Sequence, residues 1–162
     1  RNCSPHLSEP ETIQHIMNSL RVWASCGLQL DFLGRITEEE QLNNLPSDVT
    51  LIRWTHKNGA AAWTKVSVEQ GRIYRAVIEL GRAEDEDGKK KKKNYLLTAI
   101  AHEIGHTLGM KHVPYCDAVM GSCGYASSTL PSSYDIWSCK AHYTRRDSIL
   151  ANWQGRSRVV QN

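Results

Sequence analysis

Between residues 102 and 112 the chain reads His-Glu-Ile-Gly-His-Thr-Leu-Gly-Met-Lys-His, and these residue types at this spacing can hold a metal ion and work a proton beside it. On a helix, residues four apart lie one turn apart on the same face, so His102 and His106 can aim their imidazoles at one ion. Glu103 is rotated by about 100° around the axis, which lets it reach a water next to the ion without ligating it. A continuous helix would carry His112 to another face and too far along. Gly109 can adopt positive φ, end the helix and swing the chain back, so that His112 approaches from the other side. Three neutral imidazoles with an open fourth position form a catalytic zinc site, whereas structural sites close all four positions. One catalytic Zn2+ is therefore expected on His102, His106 and His112. Zinc would bring the pKa of a bound water down to about 7 and polarise a carbonyl, with Glu103 as general base and then acid. Five fixed positions of this kind arise by accident on the order of once in ten thousand chains of this composition. A built site is the better reading.

The elements that must position these residues can be read from periodicity. Ser8 and Glu11 have capping-box spacing and Pro10 suits a first turn, so a helix starts near Ser8. Ile13, Ile16, Met17, Leu20, Trp23 and Ala24 give it one apolar face, and Gly27 is placed to end it. Leu28, Leu30 and Phe32 alternate as a strand does. Residues 34 to 48 read as polar loop with a helical turn around Glu38 to Leu42, and Val49 to Trp54 returns to β character. Tyr74 to Leu80 is a further strand, with Ala76, Ile78 and Leu80 on one side. The acidic run Glu84 to Asp87 and the lysines Lys89 to Lys93 read as a solvated loop. The acidic run lacks the spaced ligands of a calcium loop, so no Ca2+ site is expected. Helical period resumes at about Asn94 and carries the histidines. Ile136, Cys139, Tyr143 and Ile149 or Leu150 mark a last helix.

With 162 residues, 40% hydrophobic and 23% charged, the chain suits one ordinary folded domain. No apolar run approaches the roughly 20 residues of a membrane span, and the N-terminus lacks a basic-then-apolar leader. The chain reads as a mature form or an excised domain. The formal charge of +3 rests on the five-lysine run, because the remainder carries 15 positive against 17 negative groups. A nucleic-acid partner, which calls for basic residues spread over a face, is not expected. The run Lys89 to Lys93 could instead meet an anionic surface or a glycosaminoglycan. Cys3, Cys26, Cys116, Cys123 and Cys139 show no CxxC pair. That number favours an oxidising compartment with one or two disulfides and at least one cysteine left over.

The run HExxHxxGxxH followed by a methionine resembles the metzincin metallopeptidases. Met120, eight residues after His112, is similar to the methionine that lies beneath the metal in that family. The resemblance implies a secreted zinc endopeptidase acting on protein or peptide. It implies an α+β fold: a twisted mixed sheet over a first helix, the active-site helix below, and a C-terminal helix. The whole chain, 1–162, would be one catalytic domain, with an upper part over 1–109 and a lower part over 110–162. Substrate would lie extended along an edge strand above the active-site helix. Tyr74 to Leu80 is the strand expected there, with Ile78 and Leu80 as substrate-binding candidates. Met120 to Tyr125 would wall the pocket for the side chain after the cut, with Tyr125 as candidate. The first helix lies close to the start of the given sequence, so the family's opening strand is not expected ahead of it. Between subgroups the signals divide. The eight-residue gap, Asn2 to Leu7 and Gly71-Arg72-Ile73 resemble matrixins, but Gly121-Ser122 follows the methionine where matrixins have Tyr-Pro. Ile136-Trp137-Ser138-Cys139 and Cys116 are similar to adamalysins, whose Asp after the third histidine is Val113 here. Cys3 has some likeness to the cysteine that caps zinc in matrixin propeptides, but its spacing favours a disulfide role.

Overall fold

The computed structural model describes residues 7–36, 44–46, 48–55, 62–81, 93–123, 129–147 and 156–161. Cys3, the turn expected around Glu38 to Leu42, the acidic run, Lys89 to Lys92, Tyr125, and Ile149 and Leu150 lie outside the described residues.

Helix α1 (Glu9–Val22) begins as the sequence predicts. The Ser8 hydroxyl accepts from the Glu11 amide, and the Glu11 carboxylate accepts from the Ser8 amide, which satisfies two otherwise orphaned donors. The buried face carries Ile16 and Leu20, but also Thr12 and Ser19, while Ala24 is exposed. Ser19 is tolerated there because its hydroxyl bonds the carbonyls of His15 and Leu97. A 3-10 turn (Trp23–Cys26) follows, and Gly27 ends it at φ 81°. Trp23 is fully buried and its indole N–H donates to the Ala101 carbonyl at 2.9 Å, fixing this turn to the helix that carries the histidines.

Five strands form one sheet: β1 (Gln29–Arg35), β2 (Val49–Trp54), β3 (Ala62–Glu69), β4 (Arg72–Leu80) and β5 (Arg156–Gln161), in the order β1-β5-β2-β4-β3. All neighbours are parallel except β3, which runs antiparallel to β4 at the edge. Gln70 and Gly71, both at positive φ, make the two-residue hairpin between β3 and β4. Helix α2 (Lys93–Thr107) and helix α3 (Ser133–Asp147) complete the described elements. The main core lies where α1 and α2 meet the inner sheet face, with Ile52, Ile78, Leu80, Ile100, Ile104 and Trp23 at its centre. A smaller cluster on the other face joins Val49 and Leu51 to Ile36, Leu45 and Val77. Cys116 and Cys123 are disulfide-bonded. Cys26 and Cys139 are buried thiols that share a hydrogen bond and so join the 3-10 turn to α3.

Two strands carry corrections. Tyr74 to Leu80 is not the sheet edge, because β3 covers it; Ile78 and Leu80 are fully buried core residues and cannot meet a substrate. Nor does the lower part keep all of residues 110–162. Arg156–Gln161 return to the sheet and pair in parallel with both β1 and β2. Both strands escaped periodicity for physical reasons. β3 is a largely exposed edge with no clean apolar alternation, and β5 offers only Val159 and Val160 among charged and polar neighbours.

Candidate metal centre and active site

Helix α2 ends in a device that delivers the third histidine. The Gly109 amide donates to His106 O and the Met110 amide to Gly105 O, the two bonds of a Schellman stop, with Gly109 at φ 86°. The chain then reverses. Val113 N bonds Met120 O and Ser122 N bonds Val113 O, each at 2.9 Å, so the segment from 113 to 121 closes into a loop beneath the helix. The Cys116–Cys123 disulfide spans the same loop.

This brings His102, His106 and His112 together, as the spacing predicts. Nε2 of His112 lies 3.0 Å from Nε2 of His102 and 3.1 Å from Nε2 of His106. Tetrahedral zinc with Zn–N bonds of about 2.0–2.1 Å spaces its nitrogens by about 3.3 Å, so the donor set fits that ion. The tautomers fit as well. His102 Nδ1 faces Val119 O at 2.6 Å and His106 Nδ1 faces Met110 O at 2.9 Å. A carbonyl can only accept, so each Nδ1 carries the proton and each Nε2 presents its lone pair to the shared centre. Burial pushes the His102 pKa below its ordinary value, against the opposing pull of the Val119 carbonyl, which keeps the ring in its ligating form.

The floor of the site combines Met120, which the family resemblance had singled out, with Gly105 and Asp135, whose parts the sequence did not announce. Met120 is 2% exposed and packs against α2 at Gly105, where a Cβ would overlap its sulfur and stand 3.0 Å from the Trp23 ring. Gly105 is therefore a packing requirement inside the histidine motif. Asp135, on the first turn of α3, is 1% exposed and holds the methionine loop from below. Its carboxylate accepts from Val119 N at 2.8 Å, Met120 N at 3.1 Å and Ser132 N at 2.8 Å. Its own amide donates to Ser132 Oγ at 3.1 Å. The signal available was Ser132-x-x-Asp135, a capping-box spacing. Since Val119 also orients His102, Asp135 reaches the centre through one residue. Glu103 is 4% exposed, and Thr64 of β3 donates to its carboxylate at 2.7 Å. Nothing in the sequence pattern marked Thr64.

A family model described as matrixin matches residues 1–136, which covers α1, the sheet strands β1 to β4, the histidine helix, the methionine loop and the start of α3. The chain belongs to the matrixin family and is a metalloendopeptidase, which settles the division between matrixin-like and adamalysin-like signals.

Proposed function

We propose that this protein cleaves internal peptide bonds of extracellular proteins or peptides, with one zinc ion on His102, His106 and His112 and with Glu103 as general base and acid. The observation that carries the reading is the convergence of three Nε2 atoms with Glu103 one residue from the first of their histidines. A zinc ion held there supplies Lewis acidity towards a water molecule and the scissile carbonyl. Glu103 takes the proton of the attacking water and returns it to the leaving amine, so the side chain ends each turnover unprotonated. Among the described residues β3 is the edge of the sheet, and an extended substrate would add a strand beside it, antiparallel or parallel. No covalent link between protein and substrate is needed.

Among the described residues no helix is long and apolar enough to cross a membrane. The Cys116–Cys123 disulfide supports an oxidising, extracellular setting. Contact of the lysine run with a glycosaminoglycan belongs to the same reading, and retention on heparin that disappears when Lys89 to Lys93 become alanine is its check.

Cleavage of a mixed quenched-peptide library should be abolished by a chelator and restored by zinc. Glu103→Ala should retain about one equivalent of zinc by elemental analysis while losing at least about a thousandfold in kcat/KM. Parental cleavage by that variant would sink the mechanism.

A further inference from the structure

β3 alternates its side chains between two tasks. Trp63 and Lys65 project to the outer sheet face, where both bond Glu79. Thr64 points inward, toward α2. Its hydroxyl lies 2.7 Å from Glu103 Oε2 and 3.0 Å from the Glu103 carbonyl oxygen. A hydroxyl has one proton, and the charged, nearer carboxylate is the stronger acceptor. Threonine is β-branched and stiff at χ1, and here it is set in a strand paired with Ile78 of β4. The donor is thus held by the sheet, and the carboxylate it meets is held by the helix.

We infer that Thr64 is a positioning residue for Glu103: its hydroxyl holds Oε2 and so sets the plane in which the carboxylate meets the water and the leaving amine. The terminal torsion of a glutamate is broad and nearly two-fold, and without the Thr64 hydroxyl the carboxylate would sample more orientations that do not face the reacting water. Because Thr64 sits on the edge strand proposed to receive the substrate, docking of a peptide on β3 and the aim of the base are set by the same segment of backbone. This inference rests on the reading of Glu103 as general base.

The test compares Thr64→Val, which keeps shape and branching, with Thr64→Ser, which keeps the hydroxyl, in the zinc-loaded protein. Thr64→Val should lose about ten- to a hundredfold in kcat, the scale of a misplaced catalytic group. Its KM should stay within about twofold and its zinc content should be unchanged. Thr64→Ser should recover most of the loss. In a Glu103→Gln background Thr64→Val should cost little more, since the two residues act as one unit. Should Thr64→Val prove unstable, Thr64→Ala must show the same loss in kcat and the same rescue by serine. Full kcat in the valine variant overturns the inference. So does a serine variant no better than valine, or an undiminished valine effect without Glu103. If instead Glu103→Gln itself cuts as well as the parent, it is the general-base reading that falls.

Discussion

Asp135 and Gly105 bear on the cluster of three histidines without belonging to it. One carboxylate gathers the amides of Val119, Met120 and Ser132, and the carbonyl of Val119 sets the tautomer of His102. Removing that carboxylate strands buried donors at about 1–3 kcal/mol each. Asp135→Ala should therefore lower unfolding free energy by roughly 3 kcal/mol in urea titrations. It should also weaken zinc binding in competition with a chelator, while the three ligands remain. A variant with parental stability and zinc affinity would remove Asp135 from this role. The contrast with the histidines shows what a sequence can disclose at this scale. His102, Glu103 and His106 were legible because one helical turn fixes their relation, and His112 because Gly109 announces the stop. Thr64 was not, because it finds Glu103 across a gap no local rule spans, and for Asp135 the local rule points to Ser132 and not to the distant amides of Val119 and Met120.

At the scale of elements, β3 is where the sheet meets both the site and the solvent. On its outer face Trp63 and Lys65, with Arg53 of β2, surround the carboxylate of Glu79 on β4. Burial pushes the Glu79 pKa up, but hydrogen bonds from Lys65, Arg53 and Trp63 outweigh it and hold it at about 2. A carboxylate whose folded pKa is depressed stabilises the fold above its unfolded value, near 4.5, and loses that contribution as pH falls through about 2. Glu79→Gln should thus be less stable than the parent at pH 7 by about 2 kcal/mol. That is less than the full shift implies, because Lys65 and Arg53 are about half exposed and solvent screens them. Urea midpoints of the two proteins should draw together as pH drops from 4.5 towards 2. A gap constant over that range would refute the account. The same strand shows why edge assignment failed from sequence. A strand with a strong apolar pattern, such as Tyr74 to Leu80, is a strand with neighbours on both sides, and the exposed edge is the one whose pattern is weakest.

For the whole molecule, the order β1-β5-β2-β4-β3 makes β5 the bond between two halves of the sheet. Val159, 2% exposed, fills the core from that position. A charge there would be buried among apolar neighbours without a partner. Val159→Asp should cost more than about 3 kcal/mol and take zinc retention with it, read by thermal melts and by metal content after gel filtration. An unchanged melting temperature would show that β5 does not carry the sheet. The helices, the clustering of the three histidines and the mixed α and β character were legible because each follows from a local period or motif. The sheet order was not, since it depends on which backbone edge a distant segment finds.

That order has a consequence in time. β1 and β2 emerge from the ribosome early, but the strand that joins them is made only after the histidine helix, the methionine loop and α3 are complete. At about 5–20 residues per second, β1 waits on the order of ten seconds for the strand it pairs with. During that interval the ligands are synthesised and the platform beneath them is still in two pieces. A chain stalled or clipped before Arg156 would carry every residue of the active site and lack the frame that aligns them, so competence to cut arrives with the last strand rather than with the motif.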